Sequence, residues 1–131
     1  MKVIILDLDD TIYDYITFVK WGFKNVAAFI NKKTKYPTKK IYNDLIHIYF
    51  NKSTTNVFNL LEKKYKIIIN IHRCILIYRY SIRYIKPYDD ALFFLRKYKK
   101  KIYLVTDGNK LVQENKIQLL NIKKYFKKIY K

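Results

Sequence analysis

Glycine and proline are almost missing from this 131-residue chain, which has two of each and a single cysteine. One cysteine cannot form an internal disulfide, and with no CxxC pair there is no zinc signature. Long apolar runs are also missing: no stretch reaches the roughly 18 uncharged apolar residues that a membrane helix needs. The opening run, Met1-Lys2-Val3-Ile4-Ile5-Leu6, meets Asp7 before it is long enough for a secretion signal. These absences predict a soluble, cytoplasmic protein with no membrane partner. Acidic residues are scarce too, at 10 against 28 lysines and arginines, for a formal net charge of +18.

What is abundant qualifies that charge. Lysine (24), isoleucine (20), tyrosine (14) and asparagine (10) make up about half of the chain. All four have codons rich in A and T, whereas the scarce glycine, proline and alanine need G and C. A basic chain invites a nucleic-acid reading. Here a compositional bias explains the lysines without a ligand, and they are spread along the chain rather than gathered in a block. No specific nucleic-acid partner is expected. Half of the residues are hydrophobic, enough for a real core, and the length fits one ordinary domain.

Residues 3–6 are aliphatic without a polar break, which predicts a short buried strand of a parallel sheet. Across residues 17–31, Phe18, Val19, Gly22, Phe23, Val26, Ala27 and Ile30 recur at helical spacing. Tyr36-Pro37 breaks the chain. Thr38 is expected to cap a second helix with Ile41, Leu45, Ile46 and Tyr49 on one face. A third helix carries Val57, Phe58, Leu60, Leu61 and Tyr65. Residues 67–79 read as a fourth, although Ile67-Ile68-Ile69 alone suggests a strand. Asp89 is expected to cap a helix over residues 90–98. Residues 102–106 form a second buried strand, and 107–109 a loop. Residues 110–120 form another helix closed by Asn121, and Ile129-Tyr130 begins a third strand. Strands separated by helices predict a parallel α/β architecture. The core spans residues 1–13 and 84–131, with a helical insert over residues 14–83.

Three of the few acids, Asp7, Asp9 and Asp10, lie together just after the first strand. Residues i and i+2 of an extended segment point to one side, so Asp7 and Asp9 project together from the carboxyl end of a strand. That edge of an open α/β sheet is where ligands bind. Two carboxylates so close should raise at least one pKa, and a hard cation such as Mg²⁺ would relieve the repulsion. The pair suits phosphoryl transfer: one carboxylate attacks phosphorus, and the other moves the leaving-group and water protons. The competing reading is a solvated acidic turn that caps a helix through Asp10 or Thr11. Asp14, Asp89 and Asp90 read as helix-start acids. His47, His72, Cys74, Trp21 and most of the tyrosines read as packing or surface residues.

Asp7-Leu8-Asp9-Asp10-Thr11 matches DxDxT, the first motif of the haloacid dehalogenase-like (HAD) hydrolases. Val105-Thr106-Asp107-Gly108-Asn109 resembles the second motif of that family. The Thr11-Ile12-Tyr13 segment and the Lys86-Pro87-Tyr88-Asp89-Asp90-Ala91-Leu92 approach to the second strand are similar to it as well. So is the helical insert, which resembles a type 1 cap. The resemblance implies a HAD-like Rossmannoid sheet, here incomplete, with an all-helical cap. It implies Mg²⁺-dependent hydrolysis of a small phosphomonoester through an aspartyl phosphate, with a small phosphorylated metabolite as partner. Asp7 would be nucleophile and Mg²⁺ ligand. Asp9 would be the general acid/base and would bind Mg²⁺ through its backbone carbonyl. Thr106 would donate its hydroxyl to the phosphoryl group, and Asp107, Gly108 and Asn109 would line the site. The family's dehalogenases lack an acid at position 9.

The third and fourth motifs of the family, a lysine and the acids that complete the Mg²⁺ shell, should follow the third strand, where this sequence stops. Lys110 and Lys116 lie on the helix after the second motif, the wrong segment for that lysine. The expectation is a chain truncated before those motifs, hydrolysing phosphomonoesters poorly. The rivals are an inactive fragment or non-catalytic phosphate- or partner-binding protein, and a basic nucleic-acid binder. The substrate and the oligomeric state are left open.

Overall fold

The structure, a computed structural model, describes residues 2–131. In chain order it has β1 (Ile4–Leu6), α1 (Tyr15–Asn31), α2 (Thr38–Asn51), α3 (Val57–Tyr65), α4 (Ile71–Tyr80), α5 (Asp89–Lys97), β2 (Ile102–Val105), α6 (Lys110–Leu120) and β3 (Phe126–Tyr130). A single 3-10 turn, Lys123–Tyr125, leads into β3. The chain divides into two compact units. One holds the N-terminal stretch through Phe18 together with Arg83–Lys131; the other is Val19–Ile82. No helix among the described residues is long and apolar enough to cross a membrane.

The first unit is an α/β layer. Its three strands lie in the order β1-β2-β3, and both pairings are parallel. Ile4 faces Ile102 and Leu6 faces Leu104; β2 and β3 pair with a register shift between Ile102 and Tyr103. Parallel neighbours require long crossovers, which is why helices separate every strand. The core gathers Leu8, Ile12, Tyr13, Leu95, Ile102, Leu104, Ile117, Leu120, Ile122 and Phe126, all buried. Each such side chain contributes about 1.5–3 kcal/mol when fully buried.

β1 is not the buried strand that its composition suggests. Val3 and Ile5 are 63% and 61% exposed, and Ile4 and Leu6 are only partly covered. Val3 and Ile5, two residues apart, share one face of the strand, and that face is left uncovered among the described residues; β1 also pairs with β2 alone, so one of its edges is open. In β2, Ile102 and Leu104 are buried while Val105 is exposed. Asp89 does not cap α5. Tyr88 holds the N-cap position, and Asp89 and Asp90 sit in the first turn, where the helix dipole favours negative charge.

The second unit is all helical. The α1 face read from spacing is the buried one: Val19, Gly22, Phe23, Val26, Ala27 and Ile30 are all covered. On α2 the buried set is Ile41, Leu45 and Ile48, so Ile48 takes the place expected for Ile46 and Tyr49, which are half-buried. Thr38 is the first residue of α2 rather than its cap; Pro37 precedes it, and no side chain caps that end. Asp44 joins α2 to α3, accepting from Tyr65 Oη at 2.5 Å and pairing with Lys64 at 3.1 Å and Lys40 at 3.2 Å. The fourth helix is shorter than its periodicity predicts. Residues 67–70 are not helical, because Lys66 turns left-handed to end α3 and Asn70 caps α4 by accepting from Arg73 N. The Ile69 N–H is taken by Glu62 Oε2 at 2.9 Å.

Candidate active site

β1 ends at Leu6 and β2 ends at Val105, so the next residues, Asp7 and Thr106, follow the carboxyl ends of two adjacent parallel strands. That is the ligand-binding edge of an open α/β sheet. Beyond β1 the chain tightens. Leu8 is fully buried, and its carbonyl accepts from both Thr11 N (3.3 Å) and Ile12 N (3.0 Å). Asp10 takes a left-handed conformation (φ 60°), which aspartate tolerates better than most residues. Its Oδ1 accepts from Tyr15 N at 3.0 Å, and Asp14 accepts from Ile16 N and Thr17 Oγ1. The acidic turn therefore does cap a helix, through Asp10 and Asp14, but not through Asp9.

Asp9 turns inward, into a set of donors from two elements. Its Oδ1 accepts from Tyr13 Oη at 2.5 Å and from Lys116 Nζ at 2.9 Å. Its Oδ2 accepts from Gln113 Nε2 at 3.0 Å. The same amide nitrogen donates to Thr106 Oγ1 at 2.7 Å, so its two hydrogens link Asp9 to Thr106. By accepting from Gln113, the Thr106 hydroxyl keeps its own proton for another acceptor. Thr106, Gln113 and Lys116 are all buried, at 5%, 3% and 4% exposure. A buried ammonium is costly unless paired. Lys116 has the Asp9 carboxylate on one side and the rings of Phe18, Tyr15 and Tyr13 around it, with centroids 4.5, 5.0 and 6.0 Å away.

The electrostatics run against the like-charge expectation at Asp9. Burial pushes its carboxyl up, but the hydrogen bonds from Tyr13 and Lys116, the Lys116 charge and the Gln113 bond outweigh it. The net effect holds Asp9 below the ordinary aspartate value. Burial, with the Asp9 hydrogen bond and charge added, raises the Tyr13 phenol. Burial lowers the Lys116 ammonium, and the Asp9 hydrogen bond and charge only partly offset that. Asp9 is thus an ionised carboxylate in a polar socket.

The remaining sequence-read residues are placed differently. Asp7 is exposed at the strand end, where its Oδ1 accepts from Leu8 N at 2.7 Å. Asp107 and Gly108 lie exposed in the loop after β2, and Gly108 has a φ of 106°, which only glycine adopts readily. Asn109 spends its side chain on capping α6: its Oδ1 accepts from Leu111 N and Val112 N, both at 3.1 Å. The loop thereby delivers the N-terminus of α6 to the same sheet edge, an end that favours anions. Among the described residues no group of three or more histidine, cysteine, aspartate or glutamate side chains gathers that could hold a metal ion. The hard oxygen donor on offer at the strand end is the exposed Asp7 carboxylate, the ligand type that Mg²⁺ takes alongside its waters.

Sequence reasoning missed Gln113 and Lys116 and set Lys116 aside as lying on the wrong segment. The signal was there in α6. Lys116 stands midway between Val112 and Leu120 at i±4, inside the helix's apolar stripe. A lysine in a buried stripe needs a partner, and only the fold shows that the partner is Asp9.

A model of the haloacid dehalogenase-like hydrolases matches residues 4–131. No curated protein is similar enough in sequence to count as a relative. Among solved structures the chain resembles the HAD-hydrolase candidate YfnB from Bacillus subtilis, bound to magnesium (TM-score 0.67, 19% identity, 98% of this chain and 62% of that one). It also resembles a haloacid dehalogenase-like family hydrolase from Xanthomonas campestris (TM-score 0.61, 14% identity, 99% and 60%) and the L-2-haloacid dehalogenase RSc1362 (TM-score 0.56, 11% identity, 99% and 63%). At these identities the likeness is one of fold, and this chain spans about three fifths of the length of those structures. With both motifs at the sheet edge and a family model matching residues 4–131, the chain belongs to the haloacid dehalogenase-like hydrolase family.

Proposed function

We propose that this site carries out Mg²⁺-dependent hydrolysis of a small phosphomonoester, with Asp7 as nucleophile and Asp9 as acid and base. The observation that carries the reading is Asp9 itself: a carboxylate two residues past Asp7, tied through Gln113 to the Thr106 hydroxyl. Displacing a halide from a haloacid needs no proton donor, because the halide leaves as a stable anion. Expelling an alkoxide from phosphorus does need one, so an acid at position 9 favours the phosphate ester.

In the first half-reaction an Asp7 carboxylate oxygen attacks phosphorus, the P–O bond to the alcohol breaks, and Asp9 gives its proton to the departing oxygen. In the second, water attacks phosphorus, Asp9 takes the water's proton, and the acyl phosphate bond breaks to release phosphate and regenerate Asp7. The low pKa of Asp9 suits the second half directly. For the first, the negative charge of an arriving phosphate monoester favours a protonated Asp9. The Thr106 hydroxyl offers a hydrogen bond to a phosphoryl oxygen, and the positive end of the α6 dipole favours its charge. Asp7 and the Asp9 carbonyl would hold Mg²⁺, which when bound neutralises charge on the phosphoryl oxygens; the magnesium in YfnB supports that choice. Assaying a generic aryl phosphate with Mg²⁺ tests the reading. Slow turnover that disappears in Asp7→Asn supports it, and release of halide from a 2-haloacid with no phosphate release overturns it.

A further inference from the structure

We infer that Gln113 and Lys116 are positioning residues: together they form a clamp that holds the Asp9 carboxylate and the Thr106 hydroxyl in one fixed arrangement. The inference rests on the reading of Asp9 as acid and base, and it assigns to α6 a part in the chemistry beyond presenting its N-terminus. Three facts carry it. First, Gln113 uses a single nitrogen to reach both groups, Asp9 Oδ2 at 3.0 Å and Thr106 Oγ1 at 2.7 Å, so neither can rotate without breaking a shared anchor. Second, Lys116 holds the other oxygen, Oδ1, at 2.9 Å. With both oxygens engaged from the same helix, the carboxylate plane is set. Third, both anchors are buried side chains with no alternative solvent partner: Gln113 is 3% exposed and Lys116 4%. Thr106 follows β2 directly, but Asp9 lies in the turn three residues past β1, beyond the Leu6–Leu104 pair where the strand register ends, so strand pairing alone does not set its side chain against Thr106. The Gln113 and Lys116 pair, one helical turn apart, supplies that constraint.

Tyr13 also donates to Oδ1, but it belongs to the same turn as Asp9, and this bond does not link Asp9 to Thr106. The ring cage around Lys116 fixes where the ammonium sits and therefore where Oδ1 is held. A misplacement of about 1 Å in such a group can cost on the order of 100-fold in rate. The clamp therefore bears on kcat rather than on substrate binding.

The test uses the 131-residue chain with its aspartate carboxyl carbons labelled with ¹³C, the Asp9 signal being identified by its loss in Asp9→Asn. Lys116→Met should move the Asp9 carboxyl signal and leave the Thr106 methyl signal in place. Gln113→Leu should move both, and Lys116→Arg should return Asp9 close to its original position. Backbone amide spectra show whether each variant is folded; if Lys116→Met is not, Gln113→Leu and Lys116→Arg still decide. An Asp9 signal that stays put in folded Lys116→Met or Gln113→Leu overturns the clamp. In parallel, aryl phosphate turnover with Mg²⁺ should fall roughly 10- to 100-fold in kcat for both variants with little change in KM. In an Asp9→Asn background, Lys116→Met should cause no further fall; a further fall of the same size overturns the positioning role. Absence of any turnover in the unaltered chain counts against the phosphatase reading, while the spectra still judge the clamp.

Discussion

Lys116 Nζ lies 2.9 Å from Asp9 Oδ1, although the two residues stand 107 positions apart. This ion pair fastens the turn after β1 to α6, and so ties the first strand of the sheet to the helix that follows the second. Lys116 is buried, and Asp9 retains 30% exposure of its side chain. Removing the lysine leaves a carboxylate in a half-buried polar socket.

Lys116→Met is therefore expected to destabilise the chain by about 3 kcal/mol, the low end for a broken buried pair, because Asp9 can still reach water. Lys116→Arg should cost less, since the charge is kept within the aromatic cage. Urea unfolding of the two variants beside the unaltered chain checks this. Equal stability of all three would show that the pair carries no net weight.

In the helical unit, Gly22 faces Tyr78. A Cβ at position 22 would lie 2.5 Å from Tyr78 Cδ2 and 3.0 Å from the Tyr78 carbonyl oxygen. The Tyr78 ring cannot easily give way, because it stacks on Phe23 with centroids 5.0 Å apart. Gly22→Ala should cost about 1–3 kcal/mol through overpacking, despite alanine's better helix propensity. A thermal melt that rises in Gly22→Ala would contradict the close approach of α1 to α4.

Asp44 sets an acid limit on the same unit. Burial pushes its carboxyl up, but the Tyr65 hydrogen bond and the bonds from Lys64 and Lys40 outweigh it and hold it below the ordinary value. A carboxyl depressed in the folded state stabilises fully above its unfolded value, about 3.9. That contribution is lost as pH falls through the lower folded value. Asp44→Asn should thus be less stable than the parent at neutral pH and lose less stability on acidification below about pH 4. Denaturation midpoints across that range check the sign; parallel curves would remove Asp44 from the account.

Cys74 is buried, and burial pushes its thiol up to about 11. At neutral pH it should resist alkylation in the folded chain and react readily once urea unfolds it. Fast labelling without denaturant would mean that α4 does not cover it.

How far the sequence carried the reading depends on whether the signal was local. The end of α6 was legible because it is written in one residue: Asn121 turns left-handed there. The buried face of α1 was legible because seven residues repeat at helical spacing. The start of α4 was not, since Ile67, Ile68 and Ile69 suit helix and strand alike, and the deciding groups are Asn70 and the Glu62 carboxylate that takes the Ile69 N–H. Exposure of β1 could not be read from an aliphatic run, because burial depends on what lies on either side of the strand. Within the site, Asp7, Asp9 and Thr106 stand in motifs whose meaning travels with the string. Gln113 and Lys116 act only through the crossover that folds α6 back over the strand ends, and Asn109 turned out to be spent on the helix cap.

The most direct test of the central claim is to look for the phosphoryl group on Asp7. The chain is incubated with Mg²⁺ and radiolabelled acetyl phosphate, whose acetate leaves without a proton donor, and is then quenched in acid and counted for bound label. Transient labelling of the unaltered chain, persistent labelling of Asp9→Asn and none of Asp7→Asn is the predicted result. An unlabelled Asp9→Asn chain, or label that remains in Asp7→Asn, would contradict it.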